Sequence, residues 1–503
     1  MAKRTASFFS IDVISPDTHQ RPAHVRILER IRAAILSGAL PLNARLPSSR
    51  TLARDFGLAR NTVDEALGQL VAEGFIVRHR GVGSFVSSHL PEHRRPRSLP
   101  AAQRARSRSN PRVSNRAKTL MSYPGHFKPI DAIAFTPSLP PTEFFPRRIW
   151  HRLLNREARR PGADYWHFGA SNGLPALREA IAVHANAMRA TQASADQVVV
   201  TTSTQQAVEL AAKVLADPDD FAWVETPGYQ PVLHCLRAAG LNVVPVPVDE
   251  QGLDVKAGLS LQPHARLAYV TPAHQYPLGY EMSQARRNAL FDWATREDAY
   301  IVEDDYDGDY RYEGRPIASL QGIARERVVY VGSFNKILFS GLRIAYAIVP
   351  EQLVAPFVDA KHAADGHTAL LQQGVLAAFI SEGHLAEHLR ATRAFYNERR
   401  LGFLKEAQTL ESLLEWGPAV AGMHMTGIFK DANLDDRAVA AACANRGIAV
   451  EPLAKFGAAN LRGLVFGFAG ASREAARTGL AIVKEVIFEL RARDHVESTS
   501  RRY

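Results

Sequence analysis

Six short apolar runs constrain this chain more than any other feature. QVVVT, FAWVE, NVVPVPV, RLAYVT, AYIVED and RVVYVGS follow one another between residues 197 and 333, with helical patterns and turn residues between most of them. Strands that alternate with helices imply an α/β domain with a largely parallel sheet. This pattern belongs to the part of the chain from about 129 onward. No internal repeat is visible.

The front of the chain reads differently. Residues 22–38 place Val25, Leu28, Ile31 and Ile35 on one helical face, with Gly38 as a stop. Ser48 is placed to cap a short second helix that Gly57 ends. Residues 59–73 predict a third helix with Val63, Ala66, Leu67 and Leu70 inward. Phe75 to Val77 and Ser84 to Val86 predict two short strands around Gly81 and Gly83. Three helices followed by a two-stranded wing describe a winged helix over residues 21–88. The large α/β domain is expected over 129–490.

Charge follows the same division. The 503 residues carry a net charge of +10. Residues 89–128 hold ten Lys or Arg against one acid, and residues 21–88 hold ten against five, which leaves the body of the chain slightly acidic. Segment 89–128, rich in Arg, Ser and Pro, is expected to be a basic flexible linker. A basic front on an acidic body points to a polyanion partner at the front. No stretch reaches the roughly 18 apolar residues of a membrane helix, and the N-terminus has no secretory pattern. Two cysteines, Cys235 and Cys443, build neither a disulfide framework nor a metal site. A cytoplasmic protein with no metal and no membrane partner is the expectation.

A recognition helix presents its first turn to base edges in the major groove. Here that turn is Arg60, Asn61 and Thr62. Arg is suited to guanine, Asn to adenine, and Thr to a phosphate or a thymine methyl. Ser48 and Arg50, at the start of the preceding helix, are placed to meet the phosphate backbone, and Gly81 and Gly83 let a wing tip approach it. The plain alternative is a small helical domain with an ordinary charged surface. Residues 24–86 resemble the GntR-type winged-helix family through ILSGAL, RLPSSRTLARDFG, RNTVDEALGQLVAEGF and RGVGSFV. The resemblance implies a double-stranded DNA operator as partner. Ala59 stands where the family often has a capping Ser.

In VVYVGSFNKILFSGLRIAYAIV, Lys336 follows an apolar strand in a polar loop, as an amine for an aldehyde cofactor would. Ser333 and Arg343 flank it and suit a phosphate dianion. AYIVEDDYDGDY offers Asp304 for a protonated pyridine nitrogen and Tyr306 for a ring phenolic oxygen. Ser203 and Thr204 open a helix whose first amides suit phosphate. Singly these are ordinary: a lysine after a strand is usually a surface lysine. Their order and spacing resemble the type I aminotransferase fold. With the GntR-type head, the whole chain resembles the MocR-like regulators, also through FPRRIW, GLPALREAIA, TPGYQP, TPAHQYPLG and SQARRNAL.

The resemblance implies that Lys336 is the catalytic-type lysine that holds pyridoxal 5'-phosphate. It also makes Tyr229 the ring-stacking aromatic and places His274 and Gln275 near the ring. It implies a homodimer and a small effector: an amine, an amino acid or a vitamin B6-related compound. Three departures stand out. Phe168 replaces a Tyr that reaches the neighbouring subunit's phosphate, and Asn335 replaces a second Ser before the lysine. Val465 occupies the slot of a carboxylate-binding Arg, with Arg462 nearby and Pro231 two residues after Tyr229. Two rivals to a regulator remain: a working aminotransferase with an appended head, and a DNA-binding protein whose large domain has lost its cofactor.

Overall fold

The computed structural model describes residues 22–90, 112–121, 135–137, 139–162, 165–458 and 460–500. The chain divides into two units, Met1–Arg112 and Val113–Tyr503.

In the first unit, helices Ala23–Leu36, Ser49–Phe56 and Arg60–Ala72 precede strands β1 (Ile76–His79) and β2 (Gly83–Val86). The strands pair antiparallel, with His79 opposite Gly83. The apolar faces close on one core: Leu28, Ile31 and Ile35 meet Leu52, Val63, Ala66, Leu67 and Leu70, with Phe75 and Val86 beneath. Ile27, rather than Val25, completes the buried face of the first helix. Ser48 caps the second helix, its hydroxyl accepting from the Thr51 amide at 3.2 Å. Gly57 ends that helix in the left-handed region at φ 63°.

The second unit is built on an eight-stranded sheet. Its strands are β3 (Val198–Thr201), β4 (Phe221–Thr226), β5 (Asn242–Asp249), β6 (Gly252–Leu253), β7 (Leu267–Val270), β8 (Tyr300–Asp305), β9 (Val328–Ser333) and β10 (Ala345–Ile348). The order is β3-β10-β9-β8-β7-β4-β5-β6. Neighbours from β9 to β5 run parallel, and β10 is antiparallel to both its neighbours. Every residue of β3, β7 and β9 is buried, as expected where helices cover both faces. Among the apolar clusters on this unit, one packs around helix Thr204–Leu215 and another around helix Gln284–Arg296, where Trp293 stacks on Trp223 at 4.1 Å. A four-stranded sheet follows, β11 (Leu414–Trp416), β12 (His424–Phe429), β13 (Glu451–Pro452) and β14 (Gly463–Gly467), in the order β11-β12-β14-β13.

All six apolar runs are strands. The sequence reading overlooked β10 and the small sheet, both of which pair antiparallel. The linker expected over 89–128 lies largely outside the described residues. Its described part corrects that reading: Asn115–Met121 is a helix within the second unit, close to helix Gln230–Ala239. The physical cause is local, since the Ser114 hydroxyl accepts from the Ala117 amide at 3.1 Å and caps the turn. Among the described residues, no helix is long and apolar enough to cross a membrane.

Candidate functional site

Five strands of the large sheet end beside one cavity of about 150 Å³. In open α/β sheets ligands bind outside the carboxyl ends of the strands. The cavity is lined by Ser203 and Thr204 after β3, Tyr229 after β4, Asp304 and Tyr306 at the end of β8, and Ser333, Lys336 and Arg343 after β9. The fold thus brings together all eight residues singled out in the sequence for a cofactor.

Local structure explains each placement. The Ser203 hydroxyl caps helix Thr204–Leu215 by accepting from the Gln206 amide at 3.2 Å, so this helix begins at the cavity wall. Tyr229 holds the capping position of helix Gln230–Ala239, edge-on to Tyr276. The Ser333 hydroxyl accepts from the Asn335 amide at 3.2 Å, and Asn335 Oδ1 accepts from the Ile344 amide at 3.2 Å. These two bonds fold the lysine loop back on itself. Asn335 is therefore a loop brace as well as a lining residue. Arg343 adopts φ 56°, a left-handed conformation that is uncommon for a residue other than glycine. Such strain concentrates at binding sites, where the surrounding structure holds it in place.

The electrostatics are those of buried ionisable groups. Asp304 is 3% exposed, and burial pushes its carboxyl up to about 7, against the hydrogen bond that Tyr269 donates to Oδ2 at 2.5 Å. Its other oxygen, Oδ1, is buried with no hydrogen-bond partner. Burial lowers the Lys336 amine from its ordinary value, with Asp307 and Asp304 opposing the shift. Glu225, beneath the cavity, is also pushed by burial to about 7 while accepting from the Thr271 hydroxyl at 2.6 Å and the Gln275 amide at 3.2 Å.

His274 and Gln275 lie behind this wall, both buried. His274 Nδ1 is 3.0 Å from the Tyr306 hydroxyl and 3.1 Å from both oxygens of Asp307. With His424 these form the one group of histidine and carboxylate ligand atoms that lie within 4.8 Å of one another among the described residues. No metal grouping was expected from the sequence.

Sequence reasoning missed Tyr269, Thr271, Tyr276 and Ser340 of the lining. Tyr269 was findable only with the strand order in hand: it pairs with Val302 on β8, two residues before Asp304 and on the same face. Arg462 does not line the cavity. Its guanidinium donates to the carbonyl oxygens of Leu461 at 3.3 Å and Ala458 at 3.4 Å. Val465 is fully buried on β14, opposite Thr426. Among the described lining residues Arg343 is the one arginine.

On the head, Arg60, Asn61 and Thr62 form the first turn of helix Arg60–Ala72, with Arg60 and Asn61 exposed. Ala59 has extended capping geometry but supplies no side-chain bond. Arg60 lies 3.4 Å from Asp64, which also meets Arg78 at 3.2 Å. Arg50 is exposed on the first turn of helix Ser49–Phe56, beside its cap Ser48. At the wing, Gly81 and Gly83 have φ of 77° and 134°. Arg45, absent from the sequence-based set, donates to the Val82 carbonyl at 2.6 Å and braces the wing tip.

Two family models match. Residues 24–86 match "Bacterial regulatory proteins, gntR family" and residues 151–478 match "Aminotransferase class I and II". The chain is 36% identical over 93% of its length, and 94% of the relative's, to a probable rhizopine catabolism regulatory protein, MocR, of Rhizobium meliloti. The chain belongs to the MocR-like regulators of the gntR family. Another relative in the family is the pyridoxine biosynthesis regulator PdxR of Corynebacterium glutamicum, at 27% identity over 92% of this chain and 95% of that one. The regulator TauR of Rhodobacter capsulatus is 32% identical over 75% and 77%. An archaeal alanine:glyoxylate aminotransferase matches in structure with a TM-score of 0.67 at 24% identity, covering 75% of this chain and 96% of its own. The second unit therefore has the type I aminotransferase fold, and the head is a gntR-family DNA-binding domain.

Proposed function

We propose that the chain is a transcription regulator whose large domain holds pyridoxal 5'-phosphate and senses a small amine, amino acid or vitamin B6-related effector. One observation carries the cofactor reading. Asp304 Oδ1 is a buried acceptor without a partner, in a cavity that also holds a lysine, a phenol, an arginine and a helix start. A buried acceptor left unpaired costs about 1–3 kcal/mol, and a protonated pyridine nitrogen satisfies it. The donor set fits the group. Lys336 would hold the aldehyde carbon, Tyr306 would serve the ring oxygen and Tyr229 the ring face, and Ser203, Thr204, Ser333 and Arg343 would take the phosphate. The cofactor, when bound, supplies an electrophilic carbon for an incoming amine.

Regulation is favoured over turnover because, with Arg343 given to phosphate, no further arginine among the described lining residues is left for a substrate carboxylate. The head contributes Arg60, Asn61 and Thr62 to bases, with Ser48, Arg50 and the wing glycines Gly81 and Gly83 at the backbone. A homodimer through the large domain follows from the same reading. Phe168 is 98% exposed and Trp166 is 71% exposed in one loop, an apolar pair suited to a protein partner.

The test is spectroscopic. Wild-type protein should show a visible absorbance band and retain cofactor after borohydride reduction. Lys336→Ala should lose both while still binding operator DNA. Covalent cofactor in the purified variant would show that another residue holds it.

A further inference from the structure

Tyr306 has one proton and two places to send it. Burial, and after it the charge of Asp307, holds its phenol well above the ordinary range, so the O–H stays intact. Its oxygen lines the cavity and also lies 3.0 Å from His274 Nδ1. That nitrogen is 3.1 Å from both Asp307 oxygens. A neutral imidazole nitrogen carries either a hydrogen or a lone pair, and a carboxylate only accepts. Against Asp307, Nδ1 must therefore carry the hydrogen. Tyr306 cannot donate to it and is left to donate elsewhere.

The far side of the ring argues the same way. His274 Nε2 is buried without a partner, and so is Nδ1 of His424, whose ring centroid lies 5.0 Å away. The other ring nitrogen of His424 donates to the Pro277 carbonyl at 3.2 Å. Burial above all keeps His424 well below the ordinary histidine range, so it stays neutral. The opposite tautomer of His274 would bury an unpaired N–H at Nε2 and turn a lone pair toward a carboxylate. Gly422 makes the packing possible. A Cβ there would fall 2.1 Å from His274 Cε1 and 2.5 Å from Asp307 Oδ2.

We propose that His274, its tautomer fixed by Asp307, is a positioning residue that turns the Tyr306 hydroxyl proton into the cavity, toward the ring oxygen of a bound pyridoxal cofactor. This rests on the cofactor reading above. His274 touches neither the cavity nor its ligand and acts through Tyr306. The groups that face it are Asp307, Tyr306 and His424, with Tyr276 packed on both Tyr306 and His424. Asp304 acts on Tyr306 across the cavity, and Lys336 acts on His424.

A hydrogen bond donated to the ring oxygen favours loss of the proton from the cofactor's lysine linkage. Removing it should raise the pH midpoint of the visible band. Cofactor-loaded full-length protein is titrated as wild type, Tyr306→Phe, His274→Phe, His274→Asn, Asp307→Asn and the Tyr306→Phe/His274→Phe pair. Tyr306→Phe and His274→Phe should each raise the midpoint by about one pH unit, a tenfold change, and the pair should rise no further. His274→Asn keeps an N–H near the place of Nδ1 and should return the wild-type midpoint. Asp307→Asn, whose amide can donate to Nδ1 and reverse the tautomer, should match His274→Phe. Additive shifts in the pair, equal behaviour of the Asn and Phe variants at 274, or an unmoved midpoint in Asp307→Asn would each overturn the proposal. So would a stoichiometric metal ion that is lost in His424→Phe. Wild-type protein that fixes no cofactor with borohydride would instead refute the cofactor reading.

Discussion

Arg60 on the head and Asp304 in the cavity each sit at the end of a secondary-structure element, and each belongs to a proposed recognition surface. Arg60 is 58% exposed and shares the carboxylate of Asp64 with Arg78, in water. Asp304 is 3% exposed, one oxygen bonded to Tyr269 and the other unpaired. The first kind of charge costs little to keep and is screened by salt, so it suits a partner found by diffusion along a polyanion. The second kind is costly to bury and is relieved when its ligand arrives, so it suits a small molecule held tightly. One chain keeps its two proposed recognition surfaces in opposite dielectric environments. Each should therefore be breakable without the other.

The largest effect should come from the head's core. Leu67 is 1% exposed in helix Arg60–Ala72. Leu67→Ala should cost about 2–5 kcal/mol, enough to unfold a unit of this size, and abolish operator binding. The cofactor band should survive, as read by absorbance and mobility shift on one sample. Loss of both would show the two units to be coupled in folding.

Next is the pH dependence of the cofactor-free large domain. Burial raises the Asp304 carboxyl to about 7, so the fold binds that proton more tightly than the unfolded chain does. Unfolding free energy therefore falls as pH rises from about 4 through about 7. Glu225 and Glu303, both also raised to about 7 by burial, act in the same direction. Asp304→Asn removes one share and should flatten the curve by on the order of 2–4 kcal/mol across that window. Thermal midpoints at several pH values measure this, and a wild-type curve that rises with pH would contradict it.

A smaller effect belongs to the base contacts. Arg60→Ala should lose about 1–3 kcal/mol of operator affinity and relax preference at one base position. Arg50→Ala should weaken all sequences alike and flatten the salt dependence. A selection experiment separates the two outcomes, and unchanged base preferences in Arg60→Ala would remove it from the reading surface. The smallest effect is a gain. Ala59 already has extended capping geometry without a bonding side chain. Ala59→Ser should stabilise the head by about 0.5–1 kcal/mol, visible as a higher melting temperature of that unit.

The head was legible almost residue by residue. Helix periodicity, the Ser48 cap and the Gly57 stop are local signals, and the core they specify closes within about 65 residues. The six apolar runs were legible for the same reason. Segment Asn115–Met121 carried a readable cap in Ser114, but the arginine and proline content around it obscured the signal. Strand β10 was hidden because AYAI follows the lysine loop directly and reads as part of that loop until a partner on each side is known.

What the sequence alone determined is therefore what depends on neighbours along the chain: the two kinds of domain, the helix turn at Arg60, Asn61 and Thr62, and the lysine loop with its arginine. The tertiary structure decided what depends on neighbours across it. Strand order put Tyr269 beside Asp304 and left one carboxylate oxygen bare. Closure of the small sheet against the strand ends brought His424, more than a hundred residues away, to the back of the His274 ring, and Gly422 made room for it. Spacing along a strand fixes which face a side chain takes, but only the order of strands fixes what it meets there. The states of Asp304, Tyr306 and His274 are set by burial and by those partners, and no local pattern records either.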